Sequence, residues 1–479
     1  MQDTLRLILD EFGGLCAIPH ASRHEQAISV YLMSRLRELT ERVRQDEYGN
    51  LLAEFPASEG LEQAPTVILQ AHMDMVLAGN VPPEKAVVHT VERDGVLYSD
   101  GKTTLGADNG IGLAVILALV QNKSLRHGPL RVLFTVREET GLEGARGLSE
   151  DWLQGARYLI NTDGFHADTE LIGCKGGLRE TISSAIIRRR TPEGSEACRI
   201  RLSGFLGGHS GDDIDSGRVN SIISLAAILK AVQRETGLSL AELSGGNGFN
   251  VIPAWAQALV VIPKGSREKL RRAVRESAER VLAPYRDTDG EGTVSLEDAE
   301  LPPACYEESF QKRTVNLLLK LHNGVCVRDA SGTVLSSCNL GMVREERNGI
   351  LDLCDMLRCD TAKMENDLLA QHQRVLNDAG YGVSVKGYHS WHSRADNPLA
   401  EAVSRVYERL TGEKIKRKVA LVGVEPALFH EKDRELEIVC LAAEIHNAHS
   451  VEENVRLDTV LRLYLVMEGV LPLLAQGTA

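Results

Sequence analysis

The chain has 479 residues, room for two to four domains at roughly 150 residues each. Hydrophobic residues make up 43% and charged residues 25%, the proportions of a chain that buries a sizeable core. With 54 basic and 67 acidic residues the net charge is −13, which argues against nucleic acid and anionic membrane as partners.

The N-terminal segment from Met1 to Phe12 alternates as an acidic amphipathic helix. It lacks a basic n-region and a small-residue cleavage site, so it is read as part of the fold. Nine cysteines without a C-x-x-C spacing suit reduced thiols in a cytoplasmic protein. The longest apolar run, Leu113 to Val120, is far short of the roughly 20 residues that span a bilayer.

Thr66 to Ala71 is a continuous apolar strand ending at His72. Leu113 to Val120 follows a Gly-rich turn at Asp108 and suits a buried helix. Leu130 to Val136 is a strand running up to Glu138 and Glu139, and Tyr158 to Ile160 is a short strand before Asp163. Strands alternating with helices predict an α/β fold with a mostly parallel central sheet flanked by helices. Arg188-Arg189-Arg190, the one tight basic run, reads as a solvated turn. Ile200 to Ser203 is strand-like and leads into Gly207-Gly208-His209-Ser210-Gly211. Val219 to Arg234 is a helix with Ile222, Leu225, Ala226 and Leu229 on one face. Ala258 to Ile262 is a strand and Arg267 to Tyr285 a charged amphipathic helix. Segments 293–296, 315–321, 350–358, 366–376 and 382–386 continue the alternation as an inserted α/β domain. Pro398 to Leu410 is a helix, and Leu436 to Ala443 a strand-like run before His449. The return of the first pattern predicts a discontinuous domain, residues 1–185 and 388–479, interrupted by residues 186–387.

His72, Asp108, Glu139, Asp163 and His449 are the chemistry-bearing residues of these segments. Singly they are weak: a lone His at a strand end is usually structural, and Asp-Asn-Gly is usually a turn. Jointly they fall where open parallel sheets bind ligands, beyond the carboxyl ends of strands. Zinc takes His nitrogen and carboxylate oxygen, and two such ions about 4 Å apart hold an activated water. His72 and Asp163 are expected on one ion, Glu139 and His449 on the other, with Asp108 between them. Asp74, two residues after His72, is expected to orient the imidazole. Glu138, not needed as a ligand, is free to act as general base. Zinc is the expected metal, with manganese and cobalt suited to the same donors. Tyr388-His389-Ser390-Trp391-His392 fits no metal site by its spacing and reads as hinge structure.

These segments resemble the di-zinc aminopeptidase/carboxypeptidase/aminoacylase superfamily, and within it the aminoacyl-histidine (Xaa-His, carnosinase-like) dipeptidases. The similarity includes Ile18-Pro19-His20-Ala21-Ser22, Asp46-Glu47-Tyr48-Gly49-Asn50-Leu51, Asp94-Gly95-Val96-Leu97, Thr104 through Gly112 and Gly207-Gly208-His209-Ser210-Gly211. The resemblance implies the metal assignments above, with Asp74 and Glu138 catalytic, and prefers His449 over His446 for its Ala-His-Ser context. It implies a catalytic domain, a lid domain over residues 186–387, and a homodimer. His209 would stabilise the oxyanion, while Asn250 would contact substrate and the Arg358 guanidinium would pair the substrate's C-terminal carboxylate. Two segments depart from the family pattern. Leu421 replaces a His in Leu421-Val422-Gly423-Val424-Glu425-Pro426-Ala427, and Ala254 replaces a basic residue after Asn250-Val251-Ile252-Pro253. The expected reaction is metal-dependent hydrolysis of Xaa-His-type or related dipeptides, with a small peptide as the only partner besides the second subunit. Two alternatives are the same site acting on N-acyl amino acids or non-standard di- and tripeptides, and a non-catalytic metal-binding scaffold.

Overall fold

The computed structural model describes residues 2–421 and 423–477, so Met1, Val422, Thr478 and Ala479 lie outside the described residues. The chain divides into two compact units, residues 1–174 with 391–479 and residues 175–390. The strand Gly176–Ala185 is assigned to the first domain by the sequence reading. Its ladders run to Ile350–Cys359 and Gly382–Tyr388, both in the second unit.

The first unit is built on a nine-stranded sheet whose middle is parallel. Leu130–Thr135, Thr66–His72, Ala156–Asn161 and Glu437–Cys440 lie side by side in that order, all parallel. Antiparallel pairs appear toward the edges, with Val43–Gln45 and Leu51–Phe55 on one side and Thr169–Cys174 and Trp391–His392 on the other, where Lys416–Ala420 adds one parallel ladder to Thr169–Cys174. Val43–Gln45 and Leu51–Phe55 are joined by a short loop, which permits only antiparallel pairing. The period-2 alternation of a strand sets what faces where. Val67, Leu69 and Ala71 enter one core with helices Gln2–Cys16, Ala107–Gln121, Pro398–Thr411 and Leu457–Ala475. Ile68, Gln70 and His72 are buried on the opposite face. The Ala107–Gln121 helix is buried from Ala107 through Leu119, as a helix apolar all round should be.

The sheet of the second unit also has nine strands, but every ladder in it is antiparallel. Helices Ser221–Thr236, Arg267–Leu282 and Glu308–Lys320 share its main core with Ile200, Val260 and Leu340. The helix Ser221–Thr236 starts where the Asn220 side chain accepts from the N–H groups of Ile222 and Ile223, and stops at Gly237 in the left-handed region. Ile222, Leu225, Ala226 and Leu229 form its buried face. Arg188–Arg190 is a correction: it is a short exposed strand paired with Ala304–Tyr306, not a turn. Its guanidinium groups are taken up within the unit, Arg188 by Glu345 and the Ala241 carbonyl and Arg189 by Ser239, which hold the run extended. No helix among the described residues is long and apolar enough to cross a membrane.

Candidate metal centre

The parallel strands deliver the candidate ligands in register. His72 is the last residue of its strand and pairs with Thr135, while Gln70 pairs with Asn161. Glu138, Glu139 and Asp163 therefore leave the ends of the two neighbouring strands on either side of His72. Asp108 stands at the start of the Ala107–Gln121 helix with non-helical dihedrals, and a cis peptide joins it to Asn109. His449 comes from the turn between the short strands Ile445–His446 and Asn454–Arg456, with its own φ at +64°. A left-handed conformation at a bulky residue is held only when its surroundings over-determine it.

One donor atom from each of His72, Asp108 and Asp163 lies within 4.8 Å of the others, and the same holds for Asp108, Glu139 and His449. The two trios share Asp108. Its Oδ1 is 3.2 Å from His72 Nε2 and its Oδ2 is 3.2 Å from His449 Nε2, so the carboxylate faces both imidazoles. His449 Nε2 also stands 2.9 Å from Glu139 Oε1. Glu138 forms a third group with His72 and Glu139. His446 belongs to none of these groups and has Glu444 as its acidic neighbour at 3.8 Å.

Asp74 differs from expectation in detail. The His72 Nδ1–H is bonded to the Asp74 carbonyl at 2.9 Å, with the carboxylate farther away at 3.6 Å. The carboxylate is instead drawn to three other donors: the N–H groups of Glu138 and Glu139 and the Ser22 hydroxyl. Asp74 thus fixes the backbone that carries the two glutamates. The Ile18–Ser22 segment makes this possible by running beside Met75 through bonds from Ser22 N to Met75 O and from Met75 N to His20 O. Asn50 secures the same loop from the other side, accepting from Val136 N and donating to Gly144 O.

The charges are severe for a buried site. Two like charges 4 Å apart repel by about 4 kcal/mol at an effective dielectric near 20, close to the lower end of a whole domain's stability. Burial, reinforced by neighbouring carboxylates, pushes Asp163 up to about 8 and Glu138 well above the carboxylate range. Glu139 is raised by burial too, against the opposing bond from His449. His449 is raised to about 10 by its bonds to Asp108 and Glu139. Burial works against charging His72, but the facing Asp108 and Asp74 carboxylates raise it well above an ordinary imidazole. Such a set, with O and N donors and more acid than the protein's own cations balance, fits a pair of divalent metal ions.

Two glutamates that the ligand reading passed over complete the surroundings. Glu453 is buried and accepts from the N–H groups of Gly106 and Asp108, holding the turn that presents Asp108. Glu425 is fully buried and accepts from Gln70 and Thr135 at the strand ends. Glu453 gives no sequence signal, because a Glu-Glu-Asn run reads as a solvated turn. Glu425 stands out in the sequence only by lying in the segment 421–427 that is compared with the family pattern.

The remaining candidates lie in the second unit and are close to one another. His209 pairs with Val251 in a short ladder, and the Asn250 carbonyl accepts from Ser210 N at 2.8 Å. Arg358 Nη2 donates to His209 Nε2 at 3.4 Å, while His209 Nδ1 lies 3.1 Å from Asp212. Ala254 borders this segment, since a Cβ on Gly207 would meet the Ala254 methyl at 3.1 Å.

Comparison with known proteins agrees with this architecture. Residues 68–472 match the model of peptidase family M20/M25/M40. The cytosol non-specific dipeptidase of Escherichia coli is 32% identical over 461 residues, covering 94% of each chain. The crystal structure of aminoacylhistidine dipeptidase from Vibrio alginolyticus superposes with a TM-score of 0.82 at 30% identity, covering 97% of this chain and 96% of that one. Human carnosine dipeptidase 1, at 14% identity and a TM-score of 0.52 over 99% of each chain, shares the fold. The chain belongs to peptidase family M20/M25/M40 and is a peptide-bond hydrolase.

Proposed function

We propose that the chain is a cytoplasmic dipeptidase that works with two divalent cations, zinc foremost, and that Xaa-His dipeptides are among its substrates. The observation that carries this reading is the pair of ligand trios joined through Asp108, with Glu138 at their side. His72 and Asp163, with Asp108, would hold one ion, and Glu139 and His449, with the same Asp108, would hold the other. Bound there, the cations supply Lewis-acid chemistry, polarising the amide carbonyl and making water acidic enough to react near neutrality. Glu138 does the proton work: one carboxylate oxygen takes a proton from the attacking water and returns it to the departing amide nitrogen. A carboxylate held well above its ordinary pKa suits both halves of that transfer. Asp74 acts through Glu138 and Glu139 by fixing their backbone.

His209 is assigned the oxyanion, and Arg358 the substrate carboxylate, with Asn250 as a further contact. Their chemistry and mutual proximity within the second unit support this. A dipeptide substrate is favoured by the Escherichia coli and Vibrio relatives, whose names specify dipeptides. Leu421 and Ala254, where the family pattern has His and a basic residue, favour breadth over strict selection for C-terminal His. Cytoplasmic location follows the Escherichia coli relative. A homodimer is carried by family resemblance alone, and a scattering mass of twice the chain would support it.

The test is a panel of Xaa-His dipeptides, other dipeptides, tripeptides and N-acetyl amino acids, run with and without chelator. Cleavage of dipeptides, lost with chelator and restored by zinc, is the expected result. Activity confined to N-acetyl amino acids would overturn the substrate assignment, and chelator-resistant activity would overturn the metal assignment.

A further inference from the structure

A second buried donor set lies in the unit of residues 175–390. Glu180 and Asp355 are direct partners across the antiparallel ladder of Gly176–Ala185 and Ile350–Cys359. Direct partners leave the sheet on the same face. His372, from the helix Ala362–Ala379, meets them there. Asp355 is 0% exposed, and Glu180 and His372 are each 1% exposed. One donor atom from each of the three lies within 4.8 Å of the others.

Hydrogen bonding does not exhaust this set. Glu180 Oε2 meets His372 Nδ1 at 2.6 Å, but Asp355 comes no nearer to that nitrogen than 3.7 Å. Neither Asp355 oxygen has a hydrogen-bond partner of normal geometry, nor does His372 Nε2. A single imidazolium offsets only one of the two carboxylates, and buried charges are ordinarily paired or bound to metal. Burial, with Glu180 beside it, pushes Asp355 up to about 7 against the pull of His372 and of the Met356 and Asn339 N–H groups, so its charge is only partly compensated within the protein. The thiols of Cys326 and Cys338, 3.6 Å apart, lie in the same region, where Cys338 packs with Leu357 and Leu368.

We propose that Glu180, Asp355 and His372 bind a further divalent transition-metal ion that pins the Ala362–Ala379 helix to the sheet. Two carboxylates and one imidazole are a donor set suited to zinc. Calcium demands six to eight oxygen ligands, and magnesium keeps its waters, so neither suits this closed set. No residue is shared with the trios around Asp108, so loading here is independent of the candidate metal pair.

The test counts metal on the full-length chain. Protein stripped with chelator is reloaded with zinc, desalted and analysed by plasma mass spectrometry, and its thermal melt is recorded. The wild-type chain should hold one equivalent more than the two expected at the Asp108 site. Asp355→Asn, which keeps the shape and removes the charge, should lose that one equivalent and its share of the zinc-dependent rise in melting temperature, with dipeptidase turnover unchanged. His372→Gln serves as the second variant should Asp355→Asn fail to fold. A wild-type chain that takes up no more than two equivalents overturns the proposal. So does an Asp355→Asn chain that binds as much zinc as wild type, which would mean that the three side chains share a proton instead.

Discussion

Asp108 faces two imidazoles at once, and whatever steadies it steadies both halves of the site. Glu453 does so by accepting from the Asp108 and Gly106 N–H groups. Glu453→Ala should therefore weaken metal binding by roughly 10- to 100-fold, the usual cost of removing support behind metal ligands. Competition with a chromogenic chelator measures it, and unchanged affinity would remove Glu453 from that role. Glu138→Gln separates proton transfer from binding. Metal content should stay at the wild-type level while turnover falls by roughly 10²- to 10⁴-fold, the worth of a general base. A Glu138→Gln enzyme of near-normal rate would end the assignment.

Among the secondary-structure elements, the Ala107–Gln121 helix is tightly constrained where it meets the site. A Cβ on Gly112 would stand 2.0 Å from Asn109 Oδ1 and 2.1 Å from Thr162 Oγ1. Those two side chains are bonded to each other at 3.0 Å, next to Asp108 and Asp163 respectively. Glycine at 112 lets the helix sit against the end of the Ala156–Asn161 strand. Gly112→Ala, harmless in most helices, should destabilise the fold here by about 1–3 kcal/mol, as overpacking does. Denaturant unfolding should read this loss, together with weaker metal uptake, since the displaced groups adjoin both trios. The sequence made the helix legible through its apolar run from Leu113 to Val120, but not this contact. The loop carrying Glu138 and Glu139 shows the same limit. The motif Asp46–Leu51 could be recognised, whereas the clamp that Asn50 forms on Val136 and Gly144 depends on two segments meeting in space.

At the scale of the molecule, strands ending in His, Glu and Asp were readable because apolar runs have a fixed length and parallel sheets gather ligands at one rim. Pairing sense was not readable. Periodicity reveals which face of a strand is buried, not the direction of its neighbour, so the wholly antiparallel second sheet and the antiparallel edges of the first came only from the structure. Arg188–Arg190 misled for a related reason: its partners, Glu345 and Ser239, are far away in the chain. The joined trios also have a whole-protein signature in acid–base behaviour. His449 at about 10 and Asp163 at about 8 carry protons at pH 7, and metal ligands must be free of them. Zinc loading at pH 7 should thus release protons into the buffer, and fewer at pH 9, where Asp163 is already ionised. Titration calorimetry in buffers of different ionisation enthalpy reads the number, and equal release at both pH values would contradict the charge assignment.

The parallel centre of the first sheet borrows its fourth strand, Glu437–Cys440, from beyond the whole of residues 175–390. During synthesis the Ala156–Asn161 strand must wait with one side unpaired while that intervening length is made, on the order of half a minute at ribosomal speed. An open, apolar parallel edge is what aggregation recruits. Nascent chains halted shortly before residue 437 should therefore be the most chaperone-dependent of a series, with release from that dependence once the last strand has docked.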